Sequence, residues 1–390
     1  MAQKKSQHVP FHRAFVGKEE IKAVTEAIES GWITMGPKTV EFEEKFRTYV
    51  GAKYALAVNS CTAALHLALE AIGIKEGDEV LVPAITFTAT AEVVCYFKAK
   101  PVLVDVEPDT LNIDASKIED GITSRTKAII VVDYAGQPVD YDRIKRIAKK
   151  HKLSLIEDAA HTLPSWYKGK KVGTLADITC FSFYATKTLA TGEGGMITTE
   201  NPKWAERMKI MRLHGMNRDA WKRYAKGGHW YYEIVGAGYK YNTTDMNAAL
   251  GLVQLKKLEM MWKKRQAIAE MYHKNFTTLP EIICPVIRPD RVTSWHLYVI
   301  KLALEKLSID RAQFIEELAQ QGISTSVHFI PLYRHPFYQE KFGFKAKDYP
   351  HSEWAYERMI SLPIFPGMTK DQVAQVIDAV KNVIKRNRHV

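Results

Sequence analysis

The stretch FSFYATKTLATGEGGMITTE, Phe181 to Glu200, decides the fold. It continues an apolar run, ITCFSF, that reads as a strand, and it breaks at a polar turn around Lys187. It then passes Gly192, Gly194 and Gly195 and resumes as a second apolar strand. A lysine in a turn between two apolar strands has two readings. In one it is solvated at the tip of a Gly-rich hairpin. In the other it is buried, loses hydration and favours the neutral amine, the nucleophile that makes Schiff bases with carbonyl groups. The rest of the chain decides between them.

Upstream, from Tyr54, strands and helices alternate. ALAVNS, EVLVPA, PVLVDV, KAIIVVDY and LSLIEDAA read as strands. TAALHLALEAIG, TATAEVVCYFKA and YDRIKRIAKKHK read as helices, with a short helix around Ala115–Gly121. Near-continuous Val/Ile/Leu strands alternating with helices predict a mostly parallel sheet covered on both faces. Such sheets bind ligands beyond the carboxyl ends of their strands.

Three of those strand ends stand out. Asn59-Ser60-Cys61-Thr62-Ala63 opens a helix on small residues, where free N–H groups and the helix dipole attract phosphate. Ser60 or Thr62 serves equally well there as an ordinary N-cap. The segment Pro83 to Phe87 puts an aromatic just past its strand, where it either joins the core or lies flat on a planar ring. Glu157-Asp158-Ala159-Ala160-His161 ends the fifth strand, and an unpaired buried carboxylate there is costly. A protonated pyridine nitrogen would be its partner, which is the demand of pyridoxal 5'-phosphate (PLP). No GxGxxG or GxxxxGK accompanies these turns, so neither a dinucleotide fold nor a P-loop is supported. A phosphate turn, a ring-stacking aromatic, a strand-end acid and a turn lysine are together the parts of a PLP enzyme.

Composition narrows the field. A chain of 390 residues suggests two domains at roughly 100–200 residues each. Its 46% hydrophobic and 25% charged content is that of a soluble globular protein. No apolar run approaches the roughly 20 residues that span a bilayer. The basic start MAQKKSQHVPFHR lacks the apolar core of a secretory signal. The cysteines Cys61, Cys95, Cys180 and Cys284 form no CxxC pair, which suggests reduced thiols in a cytoplasmic protein and no metal site. The net charge of +11 is spread widely, and no recognition helix, RNP motif or zinc finger accompanies it, so nucleic acid is not an expected partner.

The flanks complete the plan. Residues 18–30 read as an amphipathic helix stopped by Gly31, followed by the turn WITMGPK and a second helix, TVEFEEKFRTYVG. That turn either covers the core or reaches a ligand. A long helix ends at Phe276 and carries a stripe of Leu252, Leu255, Leu258 and Trp262. Beyond it, SWHLYVIKLAL and ISTSVHF read as strands and DRAQFIEELAQQG and TKDQVAQVIDAVKNVIK as helices, the last with Thr369 and Gln372 as a capping box. The expected division is a large domain over 1–255 and a small α+β domain over 256–390. The loop HFIPLYRHPFY carries His328, Tyr333, Arg334 and His335 and either faces a substrate mouth or is surface. The stretch Arg207–Lys226 holds seven Arg/Lys residues, suited to a diphosphate or simply solvated.

Motifs along nearly the whole chain carry a resemblance: GWITMGPK, VNSCTAALHLAL, GDEVLVPAITF, PVLVDV, DYAGQPVD, IEDAAH, FSFYATKTLATGEGG, GYKYNTTDMNAALG, SWHLYVI and SLPIFPGMT. The chain resembles the DegT/DnrJ/EryC1/StrS family of nucleotide-sugar aminotransferases, and within it the subgroup making UDP-4-amino-4-deoxy-L-arabinose. The resemblance implies the α/β fold-type-I (aspartate aminotransferase-like) architecture. It implies that Lys187 forms the Schiff base with PLP and moves protons between carbons. Asp158 would pair with the pyridine nitrogen, Phe87 would stack on the ring and His161 would lie near the ring hydroxyl. Ser60, Thr62 and Ala63 with Ser182 would hold the phosphate, and Asn242 would reach the phosphate of a neighbouring subunit's cofactor in a homodimer.

Thr34, Tyr184, Arg212, His328 and Tyr333 are the candidate substrate contacts. Many members carry His where this chain has Tyr184, and Thr188 follows Lys187 here. The implied activity is transfer of an amino group, with glutamate as donor and pyridoxamine 5'-phosphate as the intermediate form, to a keto group at C4 of a nucleotide-diphosphate sugar. The product would serve amino-sugar, surface-polysaccharide or lipid A synthesis. Two alternatives stand beside it. An amino-acid transaminase or lyase of the same fold would grip an α-carboxylate with a small-domain Arg, for which the sequence has no clear counterpart. A non-catalytic regulator would be expected to lack Lys187 or Asp158.

Overall fold

The computed structural model describes residues 8–217 and 231–389. Its centre is a seven-stranded sheet in the order Tyr54–Val58, Gly195–Thr199, Ile178–Ser182, Ser154–Asp158, Thr126–Val132, Glu79–Pro83, Lys100–Val104. All neighbours are parallel except Gly195–Thr199, which is antiparallel to both strands beside it. Its direction follows from the chain: Ile178–Ser182 returns through the Lys187 loop straight into Gly195–Thr199, and the two pair from Ile178↔Thr199 to Ser182↔Gly195. The lysine is therefore in the loop of a hairpin that closes at the carboxyl edge of the parallel strands.

Each face of the sheet has its own apolar layer, as expected for parallel strands covered on both sides. One joins Phe42, Phe46, Ile129, Leu155, Phe181 and Met196 under the helices Pro37–Val50 and Tyr141–His151. The other joins Leu65, Leu69, Val82, Ile130, Ile156 and Ile197 under the helix Cys61–Ile72. Side chains alternate along a strand. Leu155 and Glu157 therefore go to the first layer, and Ile156 and Asp158 to the second, where the phosphate-type turn at Ser60 begins its helix.

The second sheet is three-stranded, Ile282–Ile283, Tyr298–Leu302 and Met359–Leu362, with helices Arg311–Gln320 and Lys370–Asn387 packed on it. Thr369 and Gln372 close the capping box expected for the last helix. The segment ISTSVHF does not form the expected strand. It makes only single bridges, Val9↔Ile323 and Ser326↔Ser361, and Met359–Leu362 takes the place beside Tyr298–Leu302. The four residues of Met359–Leu362 are all buried, whereas Ser324, Thr325 and Ser326 offer little to bury. The expected helix at Ala115–Gly121 shrinks to a 3₁₀ turn at Glu119–Gly121. Three helices that periodicity did not announce, Pro202–Met211, Pro336–Phe342 and Pro350–Arg358, each begin on a proline, whose missing N–H costs nothing there.

The helix Asp245–Phe276 leaves the first layer through Leu252, Leu258 and Met261 and enters the second core through Ile268, Tyr272 and Phe276. Its buried Arg265 donates to the carbonyls of His296 and Ile364 at 3.3 and 2.7 Å. The first described residues also join that core, since Val9 pairs with Ile323.

The WITMGPK turn is a capping device. Trp32 Nε1 donates to Met35 O at 3.1 Å, and the indole fills the space that any side chain at Gly36 would need. The buried Asp245 carboxylate then accepts from the N–H groups of Gly36, Lys38 and Thr39 at 2.8, 2.9 and 2.9 Å and from Thr39 Oγ1 at 2.6 Å. One acid thus satisfies the orphan donors that open Pro37–Val50. Asp245→Ala would strand those N–H groups, and urea unfolding should show a loss of roughly 2–4 kcal/mol. Asp245→Asn, which keeps one acceptor, should lose less.

Candidate functional site

A cavity of about 450 Å³ opens at the carboxyl edge of the large sheet. It is lined by Ser60, Cys61 and Thr62 from one strand end, Thr86 and Phe87 from the next, and Asp158, Ala160 and His161 from a third. The hairpin supplies Ser182, Tyr184, Thr186, Lys187, Glu193 and Gly194. The far wall is His296, Ser326, His328 and Phe329, with Phe11 and His12 from the N-terminal segment.

Lys187 is half-buried in the loop, its N–H donating to Tyr184 O at 2.9 Å. Burial pulls its ammonium below the ordinary lysine value, while the Asp158 and Cys61 charges act the other way. Asp158 is the mirror case. Burial pushes its carboxyl up, and hydrogen bonds from Thr90 and Ala160 with the charge of Lys187 pull it back. Thr90 Oγ1 donates to Asp158 Oδ2 at 2.8 Å, and Ala160 N–H donates to Oδ1 at 3.2 Å.

At the turn, Ser60 Oγ accepts from Ala63 N–H at 3.0 Å, and Ser60 O accepts from Ala64 N–H at 3.1 Å. Ala63 is therefore spent on the cap and cannot offer its N–H to a phosphate, contrary to expectation. The N–H groups left without a protein acceptor among the described residues are those of Cys61 and Thr62, next to Ser182 on the cavity wall. Gly195 is what lets the hairpin reach this turn: a Cβ there would come within 2.6 Å of the Ser60 carbonyl group.

Phe87 is 57% exposed and stands over the cavity with its ring 5.8 Å from that of Phe329, so it is not core packing. His161 is buried against His296 (centroids 4.4 Å apart) and stacks on Phe329 at 5.9 Å. The Nδ1 atoms of His161 and His296 are buried and have no partner among the described residues. His328 Nδ1 lies 2.9 Å from Ser361 Oγ, and His12 Nε2 lies 3.1 Å from Ala185 O. Burial favours the neutral form of all four, pulling His12 and His328 down to about 4 and the other two well below the ordinary value. Tyr184, 48% exposed, is on the cavity wall.

Three of the expected substrate contacts lie elsewhere. Arg212 is 2% exposed and spends its guanidinium on the Glu43 carboxylate and, at 2.8 Å, on Ala57 O. Tyr333 is wholly buried, donates to Glu353 Oε2 at 2.9 Å and stacks on Tyr349. Thr34 is exposed away from the cavity, its carbonyl accepting from Asp245 N–H at 3.0 Å. Asn242 bridges Val58 beside the phosphate-type turn, outside this cavity, and its Oδ1 is buried without a partner among the described residues. Of the basic stretch Arg207–Lys226, positions 218–226 lie outside the described residues.

Sequence reasoning missed His12, Thr86, Thr90, Glu193, His296 and Phe329. His296 sits inside the SWHLYVI motif, so it could have been found by asking which polar residue interrupts an apolar strand. His12 carries no periodic or motif signal at all.

The residues fit PLP on this geometry. The unpaired N–H groups at the helix start suit a phosphate, the half-compensated Asp158 suits a protonated ring nitrogen, the Nδ1 of His161 is free for a ring substituent, and burial pulls the Lys187 ammonium below the ordinary lysine value. Among the described residues no cluster of His, Cys, Asp and Glu could hold a metal ion, and no helix is long and apolar enough to cross a membrane.

The profile of the DegT/DnrJ/EryC1/StrS aminotransferase family matches residues 15–381. The chain is 47% identical over 386 residues to the spore coat polysaccharide biosynthesis protein SpsC of Bacillus subtilis, covering 99% of each. It is 54% identical over 380 residues to the uncharacterized protein MJ1066 of Methanocaldococcus jannaschii, covering 97% of this chain and 98% of that one. Among solved structures, the PLP form of the putative sugar aminotransferase Spr1654 from Streptococcus pneumoniae superposes with a TM-score of 0.91 at 34% identity, covering 97% of this chain and 99% of that one. PseC of Helicobacter pylori, an aminotransferase of pseudoaminic acid biosynthesis, gives 0.90 at 32% identity over 97% and 100%.

These buried charges and histidines generate two predictions. Arg212→Ala leaves Glu43 uncompensated and should cost about 3–5 kcal/mol of stability in urea unfolding. The neutral histidines make the cofactor-free protein acid-labile: as pH falls below about 6.5 the unfolded chain takes up protons that the folded chain refuses until about 4. Stability should be full above 6.5 and fall steadily toward 4. In a series of urea midpoints, His328→Gln and His12→Asn should each flatten that slope.

Proposed function

This chain belongs to the DegT/DnrJ/EryC1/StrS aminotransferase family, and from that premise we propose that it is a PLP-dependent aminotransferase acting on a keto group of a nucleotide-linked sugar. The reading is transfer to C4, with L-glutamate as donor, in amino-sugar or surface-polysaccharide synthesis. The place of SpsC in spore coat polysaccharide biosynthesis and of PseC in pseudoaminic acid biosynthesis supports the polysaccharide and sugar direction. The single observation that carries the chemistry is Lys187: an amine held toward its neutral form, in one cavity with a buried acid and a helix N-terminus.

Each residue has a part in this reading. When bound, PLP supplies the electron sink that makes the proton at the reacting carbon removable. Cys61 and Thr62 N–H groups with Ser60 and Ser182 would hold its phosphate at the positive end of the helix dipole. Asp158 would pair with its ring nitrogen, Phe87 would cover the ring and His161 would meet the ring hydroxyl. Lys187 Nζ would anchor the cofactor, would give it up to the donor's amine, and would carry the proton from the donor's α-carbon to the cofactor's reacting carbon. Water would supply the oxygen with which the donor leaves as its keto acid, and in the reverse sense the amine would pass to the sugar's keto carbon, whose oxygen would leave as water. The wall of His296, His328 and Phe329 would close the far side of the reacting centre. The working unit in this reading is a cytoplasmic homodimer, with Asn242 reaching the partner's cofactor phosphate.

Wild type loaded with PLP should be yellow, and borohydride should fix the cofactor at Lys187. Lys187→Ala should trap nothing there and lose at least about a thousandfold in rate. Offered a panel of partners, the pyridoxamine-phosphate form should be returned to the yellow form by a nucleotide-linked 4-keto sugar. Return by 2-oxo acids alone would replace the sugar reading with an amino-acid transaminase.

A further inference from the structure

Asp158 is held from outside its own strand. Oδ2 accepts from Thr90 Oγ1 at 2.8 Å, and Thr90 Oγ1 lies 2.7 Å from Thr86 Oγ1. Thr90 is wholly buried and Thr86 nearly so, with Thr86 on the cavity wall. A threonine hydroxyl has one proton to give, and an ionised carboxylate can only accept. Thr90 therefore gives its proton to Asp158, and the bond between the threonines must be donated by Thr86. Both hydroxyl protons run toward the acid, and the Thr86 oxygen is left with lone pairs alone. A protonated Asp158 would free this relay to run the other way, so its direction is coupled to the acid's charge.

The same short segment carries the ring-covering aromatic. Thr86 and Thr90 flank Phe87, and Thr90 N–H donates to Phe87 O at 3.2 Å. The helix that begins here, Ala89–Tyr96, has no side-chain cap at Thr88, so the Thr90 hydroxyl is not spent on its own helix start. The other groups facing Asp158 are Lys187 from the hairpin loop and the thiols of Cys61 and Cys180, with Glu157 beside it in the strand. Cys61 Sγ is 3.7 Å from Oδ1 and 3.4 Å from the Cys180 carbonyl, too long and too divided to fix the carboxylate. Lys187 is committed to the cofactor. That leaves Thr90 as the strong fixed donor from a different element.

We propose that Thr90, oriented by Thr86, is a positioning residue for transamination: it holds the Asp158 carboxylate anionic and aimed at the cofactor's ring nitrogen. The proposal rests on the role given to Asp158 above. Charge-assisted hydrogen bonds of this kind are the strong ones, and removing one donor to a buried carboxylate favours its protonated form.

The test is PLP binding to the cofactor-free protein, followed by absorbance at pH 6, 7 and 8, for wild type, Thr90→Val, Thr90→Ala, Thr90→Ser, Thr86→Val and Asp158→Asn. Thr90→Val and Thr90→Ala should each weaken PLP about ten- to a hundredfold at pH 7. The loss should grow as pH falls, because the acid now takes its proton at a higher pH. Thr90→Ser should restore affinity to within about threefold, and Thr86→Val should show a smaller loss with the same pH trend. A Thr90 loss that is the same at every pH would mean packing alone and would overturn the proposal, as would unchanged affinity. Thr90→Ala decides the matter should Thr90→Val not fold. If Asp158→Asn binds PLP as wild type does, the role of Asp158 itself fails. If Asp158→Asn loses affinity while the Thr90 variants do not, only the relay fails.

Discussion

Desolvation of two opposite charges, Asp158 and Lys187, is the constraint around which the site is arranged. Each is driven toward neutrality by burial, and each partly restores the other's charge. Neither is settled by the protein alone. The acid has its two donors and a distant cation; the amine has no fixed hydrogen-bond acceptor in the loop. Such half-compensation is a poor way to stabilise a fold and a good way to favour a ligand that brings a cationic ring nitrogen and an electrophilic carbonyl.

The neighbouring residue shows what full burial looks like when no ligand is involved. Glu157 and Asp158 are consecutive, and the strand's alternation sends them to opposite faces. Glu157 lies in the layer under Tyr141–His151, where Thr179 Oγ1 donates to it at 2.9 Å. The buried Asp133 beside it accepts from Val139 N–H and Tyr141 OH at 2.8 and 3.1 Å. Burial and the charge of Glu157 push the Asp133 carboxyl well up, and burial pushes Glu157 up. Two adjacent acids thus meet the same cost in different surroundings: one beside a second buried acid, the other in a cavity shared with Lys187.

The parts of this arrangement that were legible in the sequence are those set by local pattern. Continuous apolar runs ending in Ser60, Phe87 and Asp158 announced parallel strands whose ends meet at one cavity, and the glycines after Lys187 announced the return of the hairpin. What was not legible depends on partners far along the chain. Arg212 reads as a free cation until Glu43, on a separate helix, takes it. Tyr333 reads as a loop residue until Glu353 and Tyr349 bury it. The residues of ISTSVHF alternate like a strand, but the edge they would have paired with is taken by Met359–Leu362, and the segment lines the cavity instead. Ala63 failed for a different reason: which N–H a cap consumes is a matter of backbone geometry that composition does not specify.

The hairpin and the phosphate-type turn behave as one piece, and Gly195 is why. The strand Gly195–Thr199 lies between Tyr54–Val58 and Ile178–Ser182, so its first residue faces the start of the helix Cys61–Ile72 at backbone distance. No side chain fits between them. The end of the loop that carries Lys187 is therefore seated by main-chain contact against the N–H groups of Cys61 and Thr62. A cofactor with a phosphate at one end and a carbonyl at the other is the kind of ligand for which such a seating matters, since holding both ends in register removes most of the freedom that a reacting group would otherwise lose.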